Sequence, residues 1–320
     1  MKLYFIRHGE TVDNVAGLYA GTKDSQLTNH GVEQTHRLGA HFARHNVRFT
    51  HIFSSPLSRA YRTAEAVRKA QRGNGGLEVV KVPELIERDF GYYEGKPFNT
   101  RADEKQAERD RKVPGFRDVE SKEVMAARVD RFLDERLIPL LREDGKDELV
   151  VAVVAHGMLL AGFWRRLLVR LPRQSLVIAP EVKEKRGGAV LEYLGGWSNT
   201  GYMELAFKKA EEPREEALQS PVAASEDVGP TDATALPTPV PPRLEPGDAE
   251  VSIATPKTDE QNSSSTPLPQ LLSGWSTTIL AVDSTIHLLG LKRQRGGIGS
   301  LAHDDGQRKL ESFFKKPRLS

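Results

Sequence analysis

The sequence predicts an α/β fold: a three-layer α/β/α sandwich with a mostly parallel central sheet, followed by a largely disordered C-terminal tail. Two observations lead to this prediction. Short apolar runs alternate with longer segments whose apolar residues recur at helical spacing, which favours a largely parallel sheet covered by helices on both faces. From about residue 211 the composition changes to one that is typical of disordered chains.

Six apolar runs are predicted to be the strands of this sheet. They are Leu3–Ile6, His51–Phe53, Leu77–Val82, Leu149–Ala155, Ala189–Leu194 and Tyr202–Phe207. Each run is short and mostly apolar, as expected of a strand that is buried on both faces.

Four helices are predicted between these strands. They are Thr28–His45, Ser58–Lys69, a third that starts after Ser121, and Met158–Leu168, which ends shortly before Pro172. Thr28 and Ser121 are suitable N-caps, because a side-chain hydroxyl can accept a hydrogen bond from a free amide group of the first turn. The third helix has a buried face on which apolar side chains repeat at helical spacing: Val129, Phe132, Leu133, Leu137, Leu140 and Leu141.

The residues after about 210 differ in composition from the first domain, which we predict to span residues 1–210. Residues 211–270 are rich in Pro, Glu, Ser, Thr and Ala, so they cannot bury enough apolar surface to offset the entropy lost on ordering, and we predict a disordered linker. Residues 271–320 form a tail with local basic clusters. Apolar character returns across Leu268–Leu291, which either docks on the first domain or folds on a partner, and the sequence leaves both alternatives open.

The overall composition excludes several classes of function. Because 46 Lys and Arg residues nearly balance 44 Asp and Glu residues, we do not expect the protein to bind nucleic acid directly. The absence of cysteine rules out disulfides, thiolate catalysis and cysteine-based metal sites. The sequence shows neither a signal-peptide pattern nor an apolar run of membrane-spanning length, so we expect a protein of the cytoplasm, the nucleus or both, with no membrane partner.

Polar residues with catalytic potential cluster in four separated segments. In chain order these segments are Arg7–Thr11, Ser54–Ala60, Glu84–Gly95 and Val153–Gly157. Three of them lie at the carboxyl ends of predicted strands and the other follows a strand closely, so all four can converge on one edge of the sheet, where open α/β folds bind ligands. In the first segment, Gly9 lacks a side chain that would block the close approach of a ligand.

Together these segments resemble the histidine phosphatase superfamily, also called the phosphoglycerate mutase-like family, over roughly residues 1–210. The resemblance implies an enzyme that transfers phosphoryl groups through a phosphorylated histidine, with no metal or other cofactor, and that acts on a small phosphorylated substrate or a phosphoprotein. It makes His8 the phosphorylated residue and Glu87 the proton donor. The resemblance also implies catalytic roles for Arg7, Arg59 and His156, and substrate binding by Arg7, Asn14, Gly21, Arg59, His156 and Gly157.

The chemistry of these residues agrees with the resemblance. Phosphoryl transfer needs an in-line nucleophile and positive charge around the phosphate oxygens. A neutral imidazole such as His8 is a nucleophile near neutral pH, while Arg7 and Arg59 can each offer paired, planar donors to a phosphate. Taken alone, Arg59 would be read as a surface residue of a helix, and Glu87 competes with Glu84, Asp89 and Glu94 as the proton donor.

Two departures from the family pattern bear on the reaction. The stretch Val113–Ser121 lacks the Pro-x-Gly-Glu-Ser run of many relatives, and Met158 follows His156-Gly157 where glycolytic mutases usually carry Asn-Ser. The first departure bears on substrate choice. The second, together with a stretch between Gly95 and Ser121 that is short for a mutase, favours a phosphatase that hydrolyses phosphomonoesters. A phosphoglycerate mutase or a sugar-bisphosphate phosphatase is the alternative.

A second motif lies at the end of the chain. Its residues, Gln307, Leu310, Phe313 and Phe314, fit the pattern Q-x-x-L-x-x-F-F and resemble the peptide box that docks on the eukaryotic DNA sliding clamp. The alternative is an amphipathic end that packs on the first domain. A nuclear clamp-interacting protein with an idle catalytic domain is therefore the non-enzymatic hypothesis.

Overall fold

The computed structural model describes residues 1–71, 73, 75–100, 104–142, 149–186, 191, 196–209, 272, 274–295 and 297–306. Within them, seven strands form one sheet: β1 Lys2–Arg7, β2 His51–Ser54, β3 Val79–Lys81, β4 Val150–Ala155, β5 Leu176–Ile178, β6 Tyr202–Lys209 and β7 Trp275–Ser284. The spatial order is β3-β2-β4-β1-β6-β7-β5. The pairs β3–β2, β2–β4, β4–β1 and β7–β5 are parallel, whereas β6 is antiparallel to both of its neighbours. The predicted α/β fold with a mostly parallel sheet is therefore confirmed.

The helices cover both faces of this sheet. Their bounds are α1 Val12–Ala16, α2 Asn29–Arg44, α3 Ser58–Lys69, α4 Glu104–Asp110, α5 Lys122–Phe132, α6 Ile138–Arg142, α7 Gly157–Arg170 and α8 Pro180–Arg186. Side chains of β1 alternate between two apolar cores, as the strand repeat requires. Leu3 and Phe5 pack in the core that contains residues of α5 and α7, and Tyr4 and Ile6 pack in the core that contains residues of α2 and α3.

The predicted helices are present, and the two predicted caps form. The Thr28 hydroxyl accepts a hydrogen bond from the amide of Gly31 at 2.9 Å, and the Ser121 hydroxyl accepts one from Val124 at 3.1 Å. The third predicted helix is α5, which continues through a π-helical turn at Leu133–Leu137 into α6. The sequence did not predict α1, α4, α8 or β5, and the predicted strand Ala189–Leu194 lies almost wholly outside the described residues.

The structure answers the question that Leu268–Leu291 left open. Residues Trp275–Ser284 form β7, which pairs along β6 from Lys209 opposite Trp275 to Tyr202 opposite Ser284. The described residues of 285–306, which we call the C-terminal strap, then run across α2, where the Asn29 amide donates to the carbonyl of Leu301 at 3.0 Å. The predicted linker and the clamp-binding box lie outside the described residues.

None of the described helices combines the length and the apolar character that crossing a membrane requires.

Candidate active site

The site forms where three parallel strands end at the same edge of the sheet. His8, Ser55 and His156 each follow the last residue of β1, β2 or β4. A backbone hydrogen bond aligns the ends of β1 and β4, since the His8 amide donates to the carbonyl of Ala155 at 3.0 Å. The imidazole rings of His8 and His156 consequently lie with their centroids 5.1 Å apart.

The hydrogen bonding of His8 fixes its tautomer. Its Nδ1 lies 2.7 Å from the carbonyl oxygen of Gly9. Because a carbonyl can only accept, Nδ1 carries the proton and Nε2 carries the lone pair. Burial, together with the positive charges of Arg59 and Arg7, lowers the pKa of His8 well below its ordinary value. His8, which is 4 % exposed, is therefore a neutral imidazole that can attack an electrophile through Nε2.

Gly9 serves a different purpose from the one predicted. A Cβ at this position would lie 2.8 Å from the carbonyl oxygen of Gly31 and 2.9 Å from the side chain of Thr35, both on α2. The missing side chain therefore lets α2 pack against the loop after β1, and the expectation that it clears space for a ligand is wrong. This packing holds the backbone next to His8 against α2 and does not enlarge the cavity.

Arg59 is held at the floor of the site by three hydrogen bonds. It is 1 % exposed and lies in the first turn of α3. Its Nη1 donates to the carbonyl of Lys23 and its Nη2 to that of Gly21, each at 2.7 Å, while Nε donates to Nδ1 of His156 at 3.2 Å. Burial lowers the pKa of Arg59, and carboxylates led by Glu87 oppose that shift. An arginine stays charged in such a setting, so Arg59 is a fixed cation.

His156 is committed to protein partners on both ring nitrogens. Because Nδ1 accepts from Arg59, Nε2 carries the proton and donates to the Ser55 hydroxyl at 2.8 Å. Burial, followed by the charge of Arg59, lowers the pKa of His156 well below its usual value, so this ring is also neutral. It is completely buried, and the described cavity lining does not include it. In this arrangement His156 contacts Arg59, and a ligand in the cavity would meet Arg59 first.

Arg7 and Asn14 complete the polar end of the site. Nη1 of Arg7 donates to the carbonyl of Trp197, and its buried Nε has no hydrogen-bond partner among the described residues, which leaves a donor for a ligand. The Asn14 side-chain oxygen accepts from the Thr11 amide at 3.2 Å and from Nδ2 of Asn199 at 3.1 Å. Because the side-chain oxygen of Asn14 already accepts these hydrogen bonds, its Nδ2 group is the part of the side chain that can donate to a ligand in the cavity.

Sequence analysis missed the turn formed by residues 197–200, which we call the 197–200 turn. The Thr200 amide donates to the carbonyls of Arg7 and His8 at 3.1 and 3.2 Å, and Asn199 donates to the His8 carbonyl at 3.2 Å. This turn precedes β6, and β6 runs antiparallel to β1. Its start therefore lies at the edge where β1 ends, whereas the prediction considered residues that follow strands.

Glu87 lies beside the first turn of α7 and faces the cavity. Its carboxylate accepts from the amides of Arg88 and Leu159 at 2.8 and 2.9 Å, and from that of Met158 at 3.1 Å. The amide groups at a helix N-terminus are natural partners for a carboxylate. The side chain is therefore fixed in orientation and is 8 % exposed.

The competing carboxylates are engaged elsewhere in the described structure. Glu84 lies 3.6 Å from Arg131, and Asp89 accepts from the Gly91 amide at 2.7 Å. Glu94 binds the amide of Thr22 at 2.7 Å and thereby secures the turn that contains Gly21. Of these four carboxylates, Glu87 is the one that lines the cavity.

The cavity itself has a volume of about 530 Å³ and two chemically distinct ends. The polar end is lined by Arg7, His8, Asn14, Gly21, Arg59 and Glu87, with Gly157 beside Arg7. The rest of the lining, which we call the apolar wall, is mostly apolar and includes Leu18, Tyr19, Phe90, Tyr93, Phe98, Met158 and Trp197, of which Met158 and Trp197 adjoin the polar groups through Glu87 and Arg7. The first set of groups can hold an anion against Nε2 of His8, and the second set can receive an apolar substituent.

Within the described ranges, no three His, Asp or Glu side chains are grouped so that they could hold a metal ion. The residues of the predicted clamp-binding box, Gln307, Leu310, Phe313 and Phe314, lie outside those ranges.

Comparison with known proteins gives three informative relatives. A probable phosphatase of Schizosaccharomyces pombe is 32% identical over 176 residues, which is 54% of this chain and 59% of that protein. A probable fructose-2,6-bisphosphatase of Danio rerio, TIGAR A, is 43% identical over 29% of this chain and 36% of its own length. A probable phosphoglycerate mutase of Yersinia pestis, GpmB, is 34% identical over 36% of this chain and 51% of its own length.

The chain thus spans between 36% and 59% of the length of these curated relatives, which are named as phosphatases and as a mutase. The family model of the histidine phosphatase superfamily (branch 1) matches residues 3–177, more than half of the chain. That range contains the four polar segments and every side chain that the resemblance placed at the site. The protein belongs to the histidine phosphatase superfamily.

Proposed function

We propose that the protein is a phosphatase that hydrolyses phosphomonoesters through a phosphohistidine on His8. The observation that carries the proposal is the state of His8: a buried, neutral imidazole whose Nδ1 proton is held by the Gly9 carbonyl, so that its Nε2 lone pair is available beside two arginines. This is what nucleophilic attack on a phosphorus atom requires.

The first half of the reaction forms a phosphoenzyme. Arg7 and Arg59 bind the phosphoryl oxygens, with the Nδ2 group of Asn14 as a further donor. Nε2 of His8 attacks phosphorus, and the bond from phosphorus to the ester oxygen breaks. Glu87, in its protonated state, gives its proton to the departing oxygen, so the leaving group departs as a neutral alcohol or phenol.

The second half releases phosphate. The Glu87 carboxylate accepts a proton from a water molecule as that water attacks the phosphorus of phosphohistidine. The bond between Nε2 and phosphorus breaks, inorganic phosphate leaves, and both His8 and Glu87 return to their starting states. His156 acts through Arg59, whose Nε it binds at 3.2 Å.

Trapping the intermediate tests this proposal. Wild-type protein mixed with an aryl phosphate in the presence of a chelator, and quenched within milliseconds, should gain the mass of one phosphoryl group on the peptide that contains His8. His8→Ala should neither gain this mass nor hydrolyse the ester, whereas His36→Ala, which changes an exposed histidine outside the cavity, should behave like wild type. Equal hydrolysis by wild type and His8→Ala would reject the proposal.

The alternative is a mutase or a sugar-bisphosphate phosphatase, as two of the relatives are named. Either substrate carries a second anionic group that needs its own cationic partner in the site. Among the described residues that line the cavity, Arg88 is the cation besides Arg7 and Arg59, and its Nε donates to the Glu120 carbonyl at 2.8 Å. This supports simple hydrolysis, and a lack of interconversion between 2-phosphoglycerate and 3-phosphoglycerate would agree with it.

A separate proposal concerns the end of the chain. The Q-x-x-L-x-x-F-F pattern of residues 307–314 supports docking on a DNA sliding clamp, with Phe313 and Phe314 as the apolar anchors. Full-length protein should capture the clamp from solution, and the double variant Phe313→Ala/Phe314→Ala should not. Identical capture by both proteins would remove the docking hypothesis without affecting the phosphatase proposal.

A further inference from the structure

We propose that the apolar wall of the cavity is a subsite for an aromatic leaving group, so that the preferred substrates are aryl phosphomonoesters with a single phosphate. The inference rests on the proposed phosphatase function and adds the class of substrate. Three features of the wall support it: its ring contacts, the positions of its hydroxyl groups and its low content of cations among the described residues.

The first feature is a pair of aromatic rings that both contact the ring of Tyr19. The ring of Tyr19 lies 4.6 Å from that of Phe90 and 4.9 Å from that of Phe98, between centroids. Backbone hydrogen bonds join the two segments that carry these rings, since the Tyr19 amide donates to the Lys96 carbonyl at 2.9 Å and the Phe98 amide to the Gly17 carbonyl at 3.0 Å. The rings therefore form a preorganised surface against which another ring can pack.

The second feature is that both tyrosines of the wall use their hydroxyls outside the substrate space. The Tyr19 hydroxyl donates to the Phe98 carbonyl at 2.9 Å, and the Tyr93 hydroxyl donates to the Asp110 carboxylate at 2.9 Å. With the hydroxyls so engaged, these residues present ring surface to the cavity. A sugar or a glycerate in this position would lose hydrogen bonds to water without gaining equivalents.

The third feature is the distribution of charge. Arg7 and Arg59 lie at the polar end, where the phosphate binds, and the described lining of the apolar wall adds Arg88, which donates to the Glu120 carbonyl. Among the described residues of this wall, a second phosphate or a carboxylate on the substrate would meet aromatic rings and one cation, Arg88, whose Nε is already bound to a backbone carbonyl. Phe98 is 50 % exposed, so a substrate ring that covers it also removes apolar surface from water.

Phosphonates, which cannot be hydrolysed, test the subsite without the complication of leaving-group reactivity. Using an aryl phosphate as the reporter, competitive inhibition constants would be measured for benzylphosphonate, ethylphosphonate and phosphonoacetate. We expect benzylphosphonate to bind ~10-fold more tightly than ethylphosphonate, in line with one additional aromatic contact, and phosphonoacetate to bind most weakly. Equal constants for benzylphosphonate and ethylphosphonate would overturn the inference.

Variants of the wall make the test specific. Phe98→Ala should abolish most of the preference for benzylphosphonate over ethylphosphonate while leaving inhibition by inorganic phosphate unchanged. Val124→Ala, which truncates another exposed apolar side chain that lies outside the cavity, is the control and should retain the wild-type preference. An unchanged preference in Phe98→Ala would overturn the inference, whereas the failure of wild type to hydrolyse any phosphomonoester would instead reject the proposed function.

Aryl phosphates occur both as small molecules and as phosphotyrosine in proteins. Comparing kcat/KM for free phosphotyrosine and for a phosphotyrosine peptide distinguishes these sources. A higher value for the peptide assigns the substrate to proteins, and a higher value for the free compound assigns it to small molecules. Hydrolysis of neither compound, together with rapid hydrolysis of sugar phosphates, would overturn the inference.

Discussion

At the scale of single residues, Glu87 is the group whose contribution depends on the substrate. Glu87→Gln removes the proton that the leaving oxygen needs, and general acid catalysis is typically worth about 10²–10⁴-fold. We expect a loss of that size for benzyl phosphate and a much smaller loss for p-nitrophenyl phosphate, whose phenolate leaves without a proton. Because breakdown of the phosphohistidine, in which Glu87 acts as the base, is common to both esters, the measurement is kcat/KM, which reports the steps up to formation of the phosphoenzyme. Equal losses of kcat/KM for the two esters would contradict the role of Glu87 as the acid.

His8 and Arg59 are coupled through charge, which gives a prediction for the pH dependence. Because the pKa of His8 is lowered, Nε2 stays unprotonated as the pH falls below the ordinary pKa of histidine. We therefore expect protonation of His8 to cause no decrease in kcat/KM as the pH falls through that value. Arg59→Gln removes one of the charges that oppose protonation, so the pKa of His8 rises and the acid limb moves to higher pH. The measurement is kcat/KM against pH for both proteins.

Because the same ester is used throughout, the ionisation of the substrate cancels in that comparison. Arg62→Gln is a suitable control, since Arg62 lies on the same helix and pairs with Asp305 at the surface. An acid limb at the same pH in wild type and Arg59→Gln would contradict the coupling.

At the scale of elements, the 197–200 turn depends on Asp283, the penultimate residue of β7. The Asp283 carboxylate accepts from the Ser198 amide at 2.8 Å and from the Ser198 hydroxyl at 2.7 Å. Through this turn it supports Arg7. Burial lowers the pKa of Arg7, and the negative charges of Glu87 and then Asp283 oppose that shift. Asp283 is therefore a positioning residue, because it acts on the site through groups that it holds.

Replacement of Asp283 should misplace Arg7 and His8 without unfolding the domain. A displacement of about 1 Å can cost ~10²-fold in rate, so we expect Asp283→Ala to lose kcat/KM by that order and to bind inorganic phosphate more weakly. Asp283→Asn, which keeps one acceptor and tolerates the positive φ of 46° at this position, should recover part of the activity. Asp305→Asn is the control on the C-terminal strap, and full activity in Asp283→Ala would show that the turn holds its shape unaided.

The elements also show what the sequence can and cannot predict. The ends of β1 and β4 and the cap of α2 were predictable, because local patterns of apolar residues and one hydroxyl determine them. The 197–200 turn was not, since its position depends on the antiparallel pairing of β6, which apolar spacing does not specify. Gly9 was identified as important for the wrong reason, because the chain segment that approaches it comes from α2, whose packing is a tertiary property.

At the scale of the whole molecule, the C-terminal strap connects distant parts of the sequence to the catalytic segment. Arg293 forms a bidentate ion pair with Glu10, which lies two residues after His8. His287 lies 2.9 Å from the Thr200 hydroxyl, which itself donates to the Asn199 carbonyl. The family model ends at residue 177, so these supports come from a part of the chain that the family pattern does not describe.

The predicted first domain, residues 1–210, contains all the side chains to which we assign catalytic roles in our proposal, yet the sheet extends beyond it. The apolar character of Leu268–Leu291 indicated that this segment is buried somewhere, but neither its partner nor its register follows from composition. Pairing with β6 fixes both the partner and the register. The paired residues are at least 66 positions apart in the chain, and the smallest separation is that of Lys209 and Trp275.

The interior position of β7 has a consequence for any shortened form of this protein. With β7 removed, β5 loses the neighbour that ties it to the sheet, and the outer side of β6 is left with a row of unsatisfied amide and carbonyl groups. Such a bare border is a template for strands from other molecules. A polypeptide that stopped at residue 210 would keep its reactive histidine and yet be driven towards self-association.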